Sequence, residues 1–281
     1  ILYGLLLIIF ISLFFNFFSP LIYIKNIVII FGLLLFIYAA FKKIFELNFI
    51  LYFIIIFFIT SISFYSNTNV DSLMYHLQII KWLSLHKISF GLSNLEIRLG
   101  FNSSWHSLVA LLDLSIFKFT AKYYISSIIL SSLIYETVKR NTKLNYSDIF
   151  LYLTISFLIF YSFLHPFGNG VILNHLGNPE RDIIGMLFFF LIIFFFLKAI
   201  ENPTNNKNYI NLLALSLFLC ITTRLMMSPM IILLVFILFK NKKYKIINFT
   251  TIFLFITSLL WIIRSFFLSG CLFFPYSQTC F

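Results

Sequence analysis

The sequence has 281 residues, of which 61% are hydrophobic, 21% aromatic and only 10% charged. An average soluble domain has about 25% charged residues, and a chain with 40 phenylalanines has too little polar surface to form one. The composition therefore excludes a soluble enzyme, a disordered chain and a fibrous repeat. It predicts an all-α polytopic integral membrane protein, because apolar runs of about 20 residues span a bilayer as helices, whereas barrel strands alternate.

The net charge of +11 comes from 20 Lys and Arg against 9 Asp and Glu. In a soluble protein this excess would suggest nucleic acid, but in a membrane protein positive charge collects in cytoplasmic loops. We therefore expect a lipid bilayer and no nucleic acid as partner. The chain starts at Ile1 with no basic segment before it, so we expect a trimmed chain without a readable signal peptide.

Nine apolar stretches have the length of a membrane span. The stretch after residue 208 is too long for one helix, so we divide it near Arg224. In chain order the stretches cover roughly residues 1–18, 22–41, 47–65, 121–138, 148–165, 182–199, 208–223, 225–239 and 246–264.

A tenth apolar segment, 104–117, decides the topology. If it does not cross the membrane, the basic residues of the short loops share one face, as the positive-inside rule requires. We therefore expect this segment to lie on, or dip into, the outer surface. The sequence then predicts one transmembrane domain over residues 1–281 with about nine spans, a cytoplasmic N-terminus and outer segments at 66–120, 166–181 and 265–281.

The first outer segment also carries a surface helix before residue 104, which is the first of the two in chain order. Leu73, Leu77, Ile80 and Leu83 recur at helical spacing between residues 71 and 86, which predicts an amphipathic helix at the membrane interface. The fold class is thus about nine transmembrane helices with two juxtamembrane helices on the outer face.

Charged residues divide by side in this topology. The inner face holds lysines and four acids that we interpret as solvated loop ends, namely Glu46, Glu136, Asp148 and Glu201. The outer face holds arginines, carboxylates and every histidine, a combination that suits phosphate binding and proton transfer. We therefore expect the site on the outer face, whose acids, arginines and histidines are Asp71, Glu96, Asp113, Glu180, Asp182, Arg98, Arg181, Arg224, Arg264, His76, His86, His106, His165 and His175.

The two acids at the mouths of spans admit two interpretations each. Asp71 caps the first surface helix or acts in a site with Tyr75 and His76. For Asp182, a cap made by Asn178 with Pro179 at the first helical position competes with a lined cavity.

Arginines and cysteines leave similar alternatives open. Arg224 either snorkels to the interface or binds a lipid phosphate, and Arg98 and Arg264 admit the same two readings. Cys271 and Cys280 face an oxidising compartment in this topology, where a small disulfide loop is expected. A divalent metal, Mg²⁺ or Mn²⁺, held by Asp71, Asp182 and His175 stays open because no fixed ligand spacing appears.

Three motifs give the sequence a family resemblance. The stretch Asp71-Ser72-Leu73-Met74-Tyr75-His76-Leu77 is followed by Arg98-Leu99-Gly100-Phe101-Asn102-Ser103-Ser104-Trp105, and later by Trp261-Ile262-Ile263-Arg264 with Ser269-Gly270-Cys271 and Pro275. Over about residues 47–281 this pattern resembles the GT-C class of membrane glycosyltransferases, and most closely an uncharacterised group of bacterial membrane proteins related to that class.

The resemblance implies roles for three residues. Asp71 matches the first-loop acid, the proposed base or acceptor-orienting residue of the class, and Asp182 matches the second acid, near the substrate or a metal. Arg224 falls near the donor phosphate. Ser72 departs from the class, which often has a second acid there. Members commonly have more spans or a soluble C-terminal domain, so we expect a compact or incomplete version.

The function expected from the resemblance is inverting sugar transfer from a polyprenyl-phosphate carrier to an unknown acceptor on the extracytoplasmic face of the bacterial inner membrane. Asp71 and Asp182 would be catalytic, and the substrate or its phosphate would contact Arg98, Arg181, Arg224, Arg264, Tyr75, His76, His106, His175 and Glu180. The alternatives are a transporter or flippase, and a polymerase of the O-antigen type acting on lipid-linked saccharides.

Overall fold

The structure is a computed structural model that describes residues 1–42, 48–64, 70–113, 121–138, 145–164, 176–202, 206–240 and 248–281. Within these ranges the chain is helical apart from turns and one isolated antiparallel bridge between Cys271 and Cys280. The predicted all-α class is confirmed.

Eleven α-helices occur in the described ranges. Three 3-10 turns of three or four residues, at Leu92–Asn94, Ile97–Gly100 and Ser277–Thr279, lie in the connections, and a longer one lies at Leu225–Met230. In chain order the helices are α1 (Leu2–Asn16), α2 (Ile22–Phe41), α3 (Asn48–Ser63), α4 (Leu77–Leu85), α5 (Ser104–Leu111), α6 (Ala121–Val138), α7 (Tyr146–Leu164), α8 (Arg181–Glu201), α9 (Asn206–Thr223), α10 (Ile231–Lys240) and α11 (Phe249–Ser269).

Each of the nine predicted apolar stretches contains one of these helices. The break predicted at Arg224 is confirmed, because α9 ends at Thr223 and a 3-10 turn at Leu225–Met230, with Pro229 inside it, precedes α10. Three helices in the described chain are long and apolar enough to cross a membrane, at Ile22–Ala39, Arg181–Glu201 and Phe249–Ser269. The other six are shorter, so nine crossings stay a prediction.

The outer surface of α2 explains why this chain suits a bilayer. In the window Ile22–Ala39 only 6% of the residues are buried, although the mean hydropathy is 2.2. Its large apolar side chains, among them Ile27, Phe31 and Leu34, are more than half exposed. A helix that is hydrophobic all round needs apolar surroundings, so lipid is the medium that this surface fits.

Helix α5 lies in the centre of the molecule and not on its surface. All eight of its residues are buried, and it contacts α1, α2, α4, α6 and α9. Its apolar residues, including Trp105, Leu108 and Leu111, belong to the core of the protein. This burial does not fix the depth of the helix in a bilayer, so the expected juxtamembrane position stays a prediction.

The predicted first surface helix is present, and its buried face includes two of the four predicted residues, Ile80 and Leu83. A single π-helical turn, Ser72–His76, runs directly into α4. The side chains that it buries against the bundle are Ile79, Ile80 and Leu83, while Leu73 is 55% exposed. The wider π turn changes the helical register, so an apolar face drawn with regular spacing through Leu73 is wrong.

Two of the inner-face acids are not solvated loop ends. Asp148 and Lys198 are buried and their side chains lie 3.1 Å apart, and Glu201 lies 3.8 Å from the same ammonium. Glu201 also accepts a hydrogen bond from the backbone N–H of Ser147 at 2.8 Å. These contacts compensate the carboxylates for lost water and join α7 to α8. Glu46 and the side chain of Glu136 lie outside the described part.

Candidate functional site

Tyr75 marks the place where the predicted site residues converge. Burial raises the pKa of its hydroxyl, the charge of Arg181 lowers it, and the charges of Asp71 and Asp182 raise it. The guanidinium of Arg98 lies 5.5 Å from the centre of the Tyr75 ring. The structure thus brings two carboxylates and two arginines from distant parts of the sequence to one tyrosine.

Asp71 stands at the edge of this cluster. It occupies the position before the π turn, and its exposed side chain makes no capping hydrogen bond to that turn. The capping alternative for Asp71 is therefore wrong. An exposed carboxylate beside an outward cluster can accept a proton from a bound molecule.

Glu180 is held next to Asp71 by a contact that the sequence did not suggest. The hydroxyl of Ser72 donates a hydrogen bond to Oε1 of Glu180 at 3.2 Å, and both side chains are buried. Helix α8 begins at Arg181, with Glu180 rather than Asn178 at its N-cap. The predicted cap at Asn178 and Pro179 is wrong, because residues 179 and 180 are still extended and turn Glu180 towards Ser72.

Arg181 is fixed on three sides. Its guanidinium lies 4.5 Å from the centre of the Phe101 ring. Burial lowers the pKa of this guanidinium, and the neighbouring Tyr75 and Asp182 raise it. Arg98 also lies near Tyr75 and donates a hydrogen bond to Sδ of Met74 at 3.5 Å. Guanidinium groups held over aromatic rings keep their charge and their outer N–H donors for an anion.

Asp182 and Arg224 form an ion pair. Nη1 of Arg224 lies 2.7 Å from Oδ1 of Asp182, with side chains 34% and 66% exposed. A β-carbon built on Gly185 would lie 3.8 Å from Cβ and Cδ of Arg224, so the arginine stem crosses α8 at a residue without a side chain. Arg224 is therefore directed along α8 to the charged cluster.

Arg264 occupies a different place from the other arginines. It is 2% exposed and donates a hydrogen bond to Oδ1 of Asn102. Asn102 also donates through Nδ2 to the carbonyl of Trp261 at 2.6 Å and accepts from the Trp261 indole at 2.9 Å. Arg264 thus joins the second and third motifs of the sequence inside the protein, and neither expected role, snorkelling or surface phosphate contact, fits this burial.

Two buried histidines lie directly behind the cluster. Nδ1 of His76 and Nε2 of His106 are 2.8 Å apart. Burial, with a smaller effect of Arg181, lowers the pKa of His76 from 6.5 to about 3. Burial also lowers the pKa of His106, as do His76, Arg181 and Arg264. Both imidazoles are therefore neutral at pH 7 and one donates to the other.

Serine and threonine residues fix this region in a way that sequence reasoning missed. Ser103 donates to the carbonyl of Thr223 at 3.1 Å, and the hydroxyls of Ser104 and Thr222 lie 2.8 Å apart. These bonds tie the start of α5 to the end of α9, one residue before Arg224. The available signal was the pair of adjacent polar dipeptides, Ser103-Ser104 and Thr222-Thr223, each beside an apolar run.

The tail after α11 supports the cluster from outside. Cys271 and Cys280 form the expected disulfide. The Phe274 ring in this loop lies 5.5 Å from that of Phe101 and close to Gly100, where an added β-carbon would come within 3.2 Å of it. The loop therefore packs behind the segment that carries Arg98 and Phe101.

A metal site is not formed by the described residues. Among them, no three His, Cys, Asp or Glu side chains come together. His175, one of the three expected ligands, lies outside the described ranges, as does His165.

Comparisons with known proteins give one family. The family model described as Domain of unknown function (DUF8201) matches residues 1–281. No curated protein and no solved structure matches the chain.

Proposed function

This chain belongs to the DUF8201 family of domains of unknown function. From its charged cluster, we propose that it is a membrane glycosyltransferase. It transfers a sugar from a polyprenyl-phosphate carrier to a hydroxyl acceptor on the extracytoplasmic face of the bacterial inner membrane. The observation that carries the proposal is the meeting of Asp71, Asp182, Arg98 and Arg181 around Tyr75. The resemblance of the motifs to the GT-C class agrees with it.

The proposed reaction is a displacement at the anomeric carbon. Asp71 accepts the proton of the acceptor hydroxyl, whose oxygen bonds to the anomeric carbon from the face opposite the phosphate. The bond between that carbon and the phosphate oxygen breaks, and the phosphate leaves with its electron pair. The product has the inverted anomeric configuration. Exposure of Asp71 to the outside of the cluster suits this role because the acceptor must reach it.

The arginines would stabilise the leaving phosphate. Arg98 and Arg181 both lie near Tyr75, and Arg224 reaches the same region through Asp182. Preorganised cations aimed at developing charge are a large source of transition-state stabilisation. Asp182 would then hold Arg224 in place until the donor phosphate takes over that contact.

Glu180 would supply the second acid of the first loop. The GT-C class often has paired acids where this chain has Asp71 and Ser72, and Ser72 instead binds the carboxylate of Glu180 at 3.2 Å. The acid missing from the local sequence is thus replaced in space by one from the start of α8. A divalent cation, Mg²⁺ or Mn²⁺, is a further proposed component, which chelation during the assay tests.

The test follows transfer of a radiolabelled sugar from a polyprenyl-phosphate donor by the purified chain in liposomes. The expected result is a product with inverted anomeric configuration. Arg224→Ala should raise the Kd for polyprenyl phosphate roughly tenfold or more, the effect of losing a charged hydrogen bond. Lys87→Ala is the matched control, since Lys87 is exposed at the end of α4 and outside the cluster.

Two results would overturn the proposal. One is substrate-dependent solute or lipid flux with no glycosyl product, which would favour the transporter or flippase alternative. The other is growth of a polymer on the lipid carrier itself, which would favour a polymerase of the O-antigen type.

A further inference from the structure

A large cavity lies at the opposite end of the bundle from the charged cluster. Its volume is about 590 Å³, and α1, α3, α6, α7, α8 and α9 contribute to its wall. Along α8, Asp182 and the cavity residue Phe194 are twelve residues apart, which corresponds to about 18 Å. The cavity is therefore separate from the candidate site.

The cavity wall is mostly apolar, and no charged side chain of the described residues lines it. Leu133, Leu151, Leu191 and Phe194 form much of it and are themselves buried. Its polar groups are hydroxyls, and those of Tyr52 and Ser132 lie 2.9 Å apart, which satisfies both. A charged or strongly polar ligand would lose its hydration here without compensation, so the wall selects a hydrocarbon.

The size of the cavity fits one chain. An apolar cavity of about 150 Å³ holds benzene, which has six carbons. By that measure a volume of 590 Å³ holds on the order of twenty carbons. This is the size of one acyl chain of a bilayer lipid.

The residues at the rim indicate which lipid enters. Tyr3, Tyr135 and Tyr209 line the cavity, and tyrosines favour the level of the lipid headgroups. Lys207, at the start of α9, is exposed two residues before Tyr209. A basic residue at this level attracts anionic headgroups.

We propose that this cavity binds one acyl chain of an anionic phospholipid from the leaflet opposite the charged cluster. The headgroup lies at the tyrosine and lysine rim, and the chain fills the space between α3, α6 and α8. The site does not depend on sugar transfer, so its failure and that of the proposed function are independent.

The experiment measures binding of phosphatidylglycerol to the purified full chain by native mass spectrometry after delipidation. Wild-type protein should retain one phosphatidylglycerol and bind it more tightly than phosphatidylcholine. Leu133→Trp fills the cavity and should reduce binding at least about tenfold, the loss of a few buried methylenes. Leu153→Trp is the matched control, because Leu153 is 65% exposed on α7 and should leave binding unchanged.

A chain-length series on wild-type protein keeps the test valid if Leu133→Trp does not fold. Affinity should rise up to roughly fourfold for each added methylene and level off when the chain has filled the cavity. Equal binding by the two tryptophan variants, no dependence on chain length, or preferential binding of undecaprenyl phosphate would each overturn the proposal.

Discussion

At the residue scale, a substitution of Asp71 distinguishes a catalytic role of this residue from a structural one. Its side chain is exposed and makes no capping bond, so Asp71→Asn should leave the thermal unfolding midpoint unchanged. As the proposed base, the same residue should matter for chemistry, and Asp71→Asn should reduce turnover by about 10²–10⁴-fold, the usual range for a positioned proton acceptor. The measurements are sugar transfer in liposomes and thermal unfolding of the same preparation.

Glu96→Gln is the control for this substitution. Glu96 is exposed just before the turn that carries Arg98, and its carboxylate accepts a hydrogen bond from the backbone N–H of Arg98. The amide oxygen of Gln can accept the same bond. Glu96→Gln should therefore transfer sugar at close to the wild-type rate. Wild-type turnover by folded Asp71→Asn protein would remove Asp71 from the mechanism.

The histidine pair predicts a pH dependence of stability. Because burial lowers the pKa of His76 to about 3, below the unfolded value of 6.5, the fold favours the neutral ring. Stability is therefore complete above about pH 6.5 and is lost as the pH falls towards 3. At pH 5 the loss should be about 2 kcal/mol, from 1.36 kcal/mol per pKa unit.

Thermal unfolding between pH 7 and pH 5 measures this loss. His76→Gln should make the decline smaller, whereas His86→Gln should leave it unchanged, since His86 is exposed. An equal decline in wild type and His76→Gln would show that another group titrates.

At the element scale, the 3-10 turn Ile97–Gly100 depends on the absence of a side chain at its end. A β-carbon on Gly100 would lie 2.7 Å from Cβ of Ser93 and 3.2 Å from the Phe274 ring. Gly100→Ala should therefore destabilise the chain by about 1–3 kcal/mol, as overpacking does, and displace Arg98. Gly4→Ala is the control: a β-carbon there meets no atom within 4 Å, so an alanine in α1 should stabilise by roughly 0.5–1 kcal/mol.

Chemical unfolding in detergent gives both free energies. A Gly100→Ala protein as stable as wild type, with normal donor binding, would show that the tail and the turn move apart without cost.

At the scale of the whole molecule, the orientation in the membrane is open to a direct measurement. The native cysteines give little background, because Cys220 is buried and Cys271 and Cys280 are joined. Leu95→Cys, near the charged cluster, should react with an impermeant thiol reagent added outside intact cells. Lys207→Cys, near the apolar cavity, should react only after the cells are opened. The reverse pattern would place the cluster in the cytoplasm.

The sequence predicted local features well and long-range contacts poorly. Apolar run length located the helices, and Arg224 in an apolar stretch located the break between α9 and α10. The burial of α5 was not predictable from its polar start, because Ser103 and Ser104 find partners on α9. The bond from Ser72 to Glu180 joins residues 108 positions apart, and no local periodicity carries that information.

The disulfide loop after α11 has a consequence for biogenesis. Asp71, Arg98, Arg181 and Arg224 are all synthesised before residues 271–281, yet Phe101, which lies against Arg181, rests on Phe274 from that loop. In the predicted topology this loop crosses the membrane after α11 has been inserted, and its cysteines meet an oxidant only there. The cluster is therefore completed only after residues 271–281 have crossed, and a translocation defect at α11 would leave its arginines without their support.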